Sequence, residues 1–481
     1  MFLYCIYNRI GGIKMQFSEF LNSRREACRA LVAELGKTYA YVGILGSDVK
    51  SSMIRVNRSV SDIGEGGAAE CGFVVKMHNG RAFFEYSIDD VTGDIVALAQ
   101  KITDAVRVEE SLTEREISVS VPKDEPMVRS FSRECDFDSF SDEELLGRCV
   151  EIRDAILSKS DKLLNATVAV MPFTVSKLFI SKNRELDQFY SWVNVMAVGV
   201  YRDGEKMVMA REGTYSNLMS EALSAMPGHI DTLVNKCEKL ATAKPIKPGV
   251  YDVITDPSIS GLIAHEAFGH GVEMDQFVKD RALAKYYVGD YVASPICNMH
   301  DGAGATFSTA SYFFDDDGVL AQDTQIIKDG ILVAGISDLV SATELGTEPT
   351  GNGRRQSYKR KAYSRMTNTF FSPGKDKLED MIKSIKHGYM LFETNNGMED
   401  PKNWQIQCTA EYGIEIVDGK LTDNYVSPVV MSGSVPELLK SISMVSDDFK
   451  IIGSGSCGKG YKEWVRVSDG GPALKVRVKL A

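Results

Sequence analysis

Apolar residues at Phe17, Phe20, Leu21, Cys28, Leu31, Val32 and Leu35 recur at the spacing of one helix face, and Gly36 ends the pattern. Alternating stretches, turned at Asn79-Gly80, then predict strands through about Ser87, followed by a helix over Ile95 to Val106. Ser141 and Glu144 form a capping box, opening a helix with Leu145, Leu146, Cys149, Ile152 and Ile156 on its apolar face. More strands are expected between Ala166 and Arg211, then a helical stretch from Asn217 to Leu240 broken at Pro227-Gly228. The order helix, strands, helix thus occurs twice, without a convincing repeat of sequence.

Lys244-Pro245-Ile246-Lys247-Pro248-Gly249 reads as a linker, and the texture then changes to short strands and tight turns. Asp317-Gly318, Asp329-Gly330 and Asp418-Gly419 each lie between apolar alternations, the mark of a hairpin. The expected fold class is α+β. An N-terminal α+β domain spans residues 15–243, the linker is 244–249, and a mostly β C-terminal domain spans 250–481. Residues 1–14 are apolar but short, with one arginine and no small-residue cleavage site. They read as an extension or a misassigned start, with Met15 as the initiator. The C-terminal domain carries one important helix, capped by Asp256, with Pro257 at its first position and Ile259, Leu262, Ile263 and Phe268 on its buried face.

The composition is that of an ordinary globular protein, with 44% hydrophobic and 25% charged residues among 481. The net charge of −11 argues against nucleic-acid binding, since the basic clusters, such as Lys359-Arg360-Lys361, are short. No apolar run reaches the roughly 18 residues of a membrane span. Nine scattered cysteines, an odd number, do not make a disulfide framework, so a reducing, cytoplasmic compartment is expected.

The chemistry concentrates in His265-Glu266-Ala267-Phe268-Gly269-His270. Two imidazoles, a third protein ligand and a nearby carboxylate are what metal-assisted hydrolysis requires. A lone histidine on an apolar helix face is usually a core residue, but here two flank a glutamate. Histidines five apart stand roughly 140° apart on a regular helix, too far round to chelate one ion. The helix must therefore bulge or end between Glu266 and His270, and Gly269 makes that distortion cheap. Glu273, Asp275, Cys297, His300 and Cys457 are candidates for the third ligand. Cys457 stands out by its setting, a glycine-rich loop beside Lys459 in which a thiol can be held as thiolate. That loop is a near miss for a phosphate-binding P-loop, because Gly460 replaces the magnesium-binding hydroxyl. Asp315-Asp316-Asp317-Gly318 lacks the spacing of a calcium loop.

Four ordered motifs carry a resemblance. They are His265-Glu266-Ala267-Phe268-Gly269-His270-Gly271, Gly351-Asn352-Gly353-Arg354-Arg355, Arg365-Met366-Thr367-Asn368-Thr369, and Ser443-Met444-Val445 with Cys457-Gly458-Lys459. The chain from about Phe17 resembles the TldD/PmbA family, the modulators of DNA gyrase, and within it the TldD-like catalytic branch. The resemblance implies a zinc-dependent peptidase acting on unfolded peptides, with His265, His270 and Cys457 as ligands and Glu266 as the general base. It also implies a homodimer, or a heterodimer with a paralogue lacking the metal motif. The segment Asn395 to Asp423 and the tail after Gly460 depart from that branch, which leaves the substrate open.

Arg354 and Arg355 follow a glycine turn and could grip a substrate carboxylate or steady an oxyanion. The segment Arg365 to Thr369, including Asn368, could line the same cleft and pair with an extended peptide as an added strand. Solvated or structural arginines are the plainer reading. Two other functions compete. HEAFGH also fits a dipeptidyl peptidase III-like enzyme, but the downstream glutamate motif of that family is missing. A non-enzymatic regulator, such as a gyrase-binding protein, has no use for His265, Glu266 and His270 together.

Overall fold

Ser18 accepts a hydrogen bond from the Leu21 amide at 3.2 Å and opens the helix Glu19–Leu35. Leu21, Leu31 and Leu35 of this helix pack with Ile102 and Val106 of the helix Ile95–Leu112 against Ile44, Phe73 and Val75 of the first sheet. The computed structural model describes residues 17–67, 69–112, 119–460 and 462–481. The extension expected at residues 1–14, and Met15, lie outside the described residues.

The first sheet has eight strands. Its spine is three long strands, Tyr41–Val56, Leu163–Ser181 and Arg184–Asp203, of 16, 19 and 20 residues. Strands usually run to about 10 residues. The extra length makes room for two separate helix layers. The first is the pair just described. The second comprises the helices Asp142–Leu157 and Ile230–Thr242, whose Ile152, Ile156, Leu233 and Cys237 bury Val168, Val193 and Val195. The break expected at Pro227-Gly228 is a 3-10 turn, Met226–His229, between the helices Met219–Ala225 and Ile230–Thr242.

Beyond residue 248 the sheets are new. A seven-stranded sheet runs in the order His387–Asp400, Gly249–Thr255, Leu474–Leu480, Val429–Ser434, Gln405–Val417 and Lys420–Val426, with the short strand Met444–Val445 also pairing with Leu474–Leu480. His387–Asp400 also pairs with Gln405–Val417, so five of these strands close into a ring. A six-stranded sheet places Asn368–Phe371 between Met299–Asp301 and Lys462–Gly471, and Lys450–Lys459 forms a hairpin with the latter. The turns Asp329-Gly330 and Asp418-Gly419 have positive φ at both residues and join antiparallel strands, as their sequences require. No disulfide joins the eight cysteines among the described residues. Among the described residues no helix is long and apolar enough to cross a membrane. The fold is a mixed α and β arrangement, as the pattern of the sequence predicts.

Asp317-Gly318 is a different case. Around it Phe314 and Leu320 form one antiparallel bridge, flanked by amide-to-carbonyl bonds from Asp315 to Val319 and from Ala321 to Phe313, both at 2.9 Å, so the hairpin is short. Asp315 Oδ1 accepts from the amides of Asp317 and Val319, both at 2.9 Å. The aspartates are buried because the first sheet supplies their partners. Lys76 pairs with Asp317, and Lys177 with Asp316. Arg355 joins this seam, with Nη2 3.1 Å from Glu85 Oε1 and its amide donating to Asp316 Oδ2 at 2.8 Å. Burial opposes the charge on Glu85, but Arg355 and Lys76 outweigh it and hold the carboxyl at about 2.

Removing one partner of a buried pair leaves the other uncompensated. Arg355→Ala should therefore lower the free energy of unfolding by about 3–5 kcal/mol, read from urea denaturation. An unchanged midpoint would mean that water solvates this seam.

Candidate metal centre

Asp256 Oδ1 accepts from the Ile259 amide at 2.8 Å, and Pro257 starts the helix Pro257–Ala264. This helix continues as a π turn over His265–Gly269, in which the His270 amide bonds the His265 carbonyl. A 3-10 turn, His270–Val272, ends it. The expected distortion therefore has a definite form. One turn here takes five residues instead of about four, which carries His270 back to the side of His265. The two imidazole centroids lie 5.1 Å apart. Gly269 has an ordinary helical φ of −72°, so it does not supply unusual backbone freedom. A Cβ there would stand 2.1 Å from Met366 Sδ, so glycine is required for space.

Cys457 comes from the strand Lys450–Lys459, and the glycine-rich segment is one edge of a hairpin instead of a loop. No phosphate cradle forms there. Its Sγ lies 3.3 Å from His270 Nε2. One donor atom each from His265, His270 and Cys457 lie within 4.8 Å of one another. Four ligands at 2.0–2.3 Å around a tetrahedral ion stand about 3.3–3.8 Å apart, so this spacing suits one ion. Two nitrogens and a sulfur are a set that zinc accepts, and three protein donors leave a fourth position free, as catalytic sites require.

Each imidazole has a carboxylate behind it. His270 Nδ1 is 3.4 Å from Glu273 Oε2, and His265 Nδ1 is 3.6 Å from Asp469 Oδ2. The buried His265 Nδ1 has no hydrogen-bond partner at that distance. Such carboxylates orient ligating histidines. Burial opposes the charge on Cys457, but the two imidazoles outweigh it and hold the thiol well below its usual value. Burial likewise opposes an imidazolium at His265, yet Cys457 and Glu266 raise it to about 9. The two imidazoles are thus the largest influences that favour the thiolate, ahead of the neighbouring Lys459. That lysine donates instead to Glu273 Oε2 at 3.0 Å, Asp275 Oδ1 at 2.6 Å and the Ser364 carbonyl at 3.2 Å.

The other third-ligand candidates stand elsewhere. Glu273 and Asp275 form the layer behind the ligands. Cys297 is buried in the apolar core, which pushes its thiol up to about 12. His300 pairs with Asp323 at 2.7 Å and stacks on Phe370.

The centre opens into a cleft of about 1590 Å³ between the first sheet and the C-terminal strands, lined by Glu266, Arg211, Tyr215, Asn396 and Glu399 among others. Arg354, Arg355 and Asn368 do not line it, contrary to expectation. Arg354 donates to the Met366 carbonyl and lies over Tyr312, while Arg355 is held in the ion pair with Glu85. Asn368 Nδ2 is used by the Gly302 and Thr306 carbonyls and Ser311 Oγ, all at 3.0 Å. Both edges of Asn368–Phe371 are already paired, so this strand cannot accept a peptide. Arg365, buried at 1% exposure, instead ties the layers of the centre together. It donates to the carbonyls of Cys457, at 2.8 Å, and Glu463, with Nε 3.4 Å from Glu273 Oε1. No motif spacing announced Asp469 or Glu399. The only signal for Glu399 was its place in the segment that departs from the family pattern.

A metalloprotease of Synechocystis sp. is 30% identical to this chain over 341 residues, covering 70% of this chain and 73% of that protein. The chain belongs to the PmbA/TldD metallopeptidase family. Residues 248–480 match the family model described as the PmbA/TldA metallopeptidase C-terminal domain. A zinc metalloprotease TldD homolog of Saccharolobus solfataricus is 32% identical over 284 residues, 56% of this chain and 62% of that one. The crystal structure of TldE from Thermococcus kodakarensis shares the fold, with a TM-score of 0.74 at 18% identity over 95% of this chain and 100% of that one. The donor set fits the metal that the name metallopeptidase implies.

Cys457→Ser should weaken zinc retention by about 100-fold or more, beyond the 10–100-fold typical of an outer-layer change, measured by chelator competition. Full retention would move the third ligand away from Cys457.

Proposed function

We propose that this chain is a zinc-dependent peptidase that hydrolyses unfolded peptides or small proteins. The observation that carries this reading is the meeting of His265, His270, Cys457 and Glu266 at the wall of one large cleft. His265, His270 and Cys457 would hold the ion, and zinc bound there supplies a Lewis acid that acidifies water and polarises a scissile carbonyl.

Glu266 is the general base in this reading. It takes a proton from the attacking water and returns it to the leaving amine. A Cβ at position 397 would stand 2.6 Å from Glu266 Oε1, so Gly397 lets the strand His387–Asp400 pass close beside the base. Glu273 and Asp469 keep the imidazoles oriented. The strand Gly249–Thr255 pairs with His387–Asp400 only as far as Leu391. Beyond that point, among the described residues, one edge of His387–Asp400 has no strand beside it, which suits an extended chain and disfavours a folded substrate. The cysteine in the donor set argues against a dipeptidyl peptidase III-like site, and a purely regulatory protein has no need of this geometry. In keeping with the family resemblance, we further propose a cytoplasmic dimer, formed with a second copy or with a paralogue lacking the metal motif.

Glu266→Gln should keep zinc and lose peptide hydrolysis by about 10²–10⁴-fold, the usual weight of a general base. Zinc content and turnover of an unstructured peptide are the two readouts. Turnover at the wild-type rate would remove Glu266 from the chemistry.

A further inference from the structure

Glu399 is a carboxylate that the mechanism above does not use. It lies on the strand His387–Asp400, two residues after Gly397, so the two positions share a face. That face is turned toward the centre. A Cβ on Gly271, next to His270, would be 3.3 Å from Glu399 Oε1, and one on Gly397 would touch Glu266. Met398, between them, is 58% exposed. A register shift between Thr394 and Asn396 comes just before, the kind of irregularity that re-aims side chains beside a site.

Both oxygens of Glu399 are shielded from solvent, and neither has a hydrogen-bond partner. Leaving such a group unmatched is costly, since buried carboxylates are normally paired or hydrogen-bonded. Two cations of the centre, Lys459 and Arg365, are committed elsewhere. The three donors of Lys459 go to Glu273, Asp275 and the Ser364 carbonyl. Arg365 serves Cys457, Glu463 and Glu273. Glu266, Glu273 and Asp400 add negative charge near Glu399, and His270 opposes them. Burial, the largest cause, pushes the Glu399 carboxyl well above its usual range, against the pull of His270.

We propose that Glu399 forms an ammonium-binding subsite of the cleft, taking the α-ammonium group of the substrate or the side-chain ammonium of a lysine. This rests on the peptidase reading. An ammonium brings three donors and a positive charge, enough to satisfy both oxygens, where a peptide N–H brings one donor and no charge. Glu399 is then a specificity residue, and substrates carrying an ammonium near the scissile bond are favoured.

The test uses the zinc-loaded full chain and one unstructured peptide in four forms. Its N-terminus is free or acetylated, and its single lysine is kept or replaced by norleucine. A charge-assisted contact predicts that losing the recognised ammonium lowers kcat/KM about tenfold or more. The analogue that loses it tells α-ammonium from lysine. Glu399→Gln should bring the ratio between the charged and neutral peptides close to one. Equal kcat/KM for all four peptides in the wild type, or an undiminished preference in Glu399→Gln, would overturn the subsite. If no peptide is cleaved, the peptidase reading fails first. Binding of the same labelled peptides, followed by fluorescence anisotropy, still decides the subsite. A Kd about tenfold weaker without the ammonium supports it, and equal Kd values reject it.

Discussion

The centre depends on one backbone constraint, the five-residue turn from His265 to Gly269. On a regular α-helix the two histidines would diverge by roughly 140°, and no placement of Cys457 could join them. The π turn removes that divergence with one hydrogen bond, from the His270 amide to the His265 carbonyl. Met366 packs where a side chain on residue 269 would have to go, so the turn and the segment behind it are fitted to each other. The capped start at Asp256 fixes where the helix begins, and hence where its irregular turn falls.

Around that turn the protein keeps an unusual density of buried charge. Glu273 is its hub, reaching His270, Lys459 and Arg365 at 3.0–3.4 Å. Burial works against its negative charge, and these three cations hold it well below the usual carboxylate range. Burying ions costs several kcal/mol each, and an apolar core of the same volume is often at least as stable. The arrangement is therefore explained better by what it positions than by what it stabilises. Arg365 and Lys459 hold the Cys457 hairpin against the motif helix, and Glu273 and Asp469 back the two imidazoles.

Much of this was legible in local patterns. The motif, its cap at Asp256-Pro257, and the hairpin turns at Asp329 and Asp418 are written within a few residues each. The need for a helix irregularity followed from counting residues per turn. Cys457 was singled out by its setting, but the reasons given for it were wrong. Alternating pairing with Lys462–Gly471 makes that segment a strand, and the imidazoles, ahead of Lys459, favour its thiolate. Arg354, Arg355 and Asn368 were misread for a common reason. Whether a polar residue faces a cleft or a buried partner is set by contacts far along the chain, such as Arg355 with Glu85, 270 residues away. Asp469 and Glu399 belong to no motif, and only the closing of the strands brings them to the centre.

The central claim is that two imidazoles of one distorted turn and a distant thiolate share a single zinc ion. X-ray absorption at the zinc edge of the metal-loaded protein addresses it directly. The account predicts about one sulfur near 2.3 Å and two imidazole nitrogens near 2.0–2.1 Å, completed by a light oxygen or nitrogen donor. A shell without sulfur, or with a single imidazole, would contradict it.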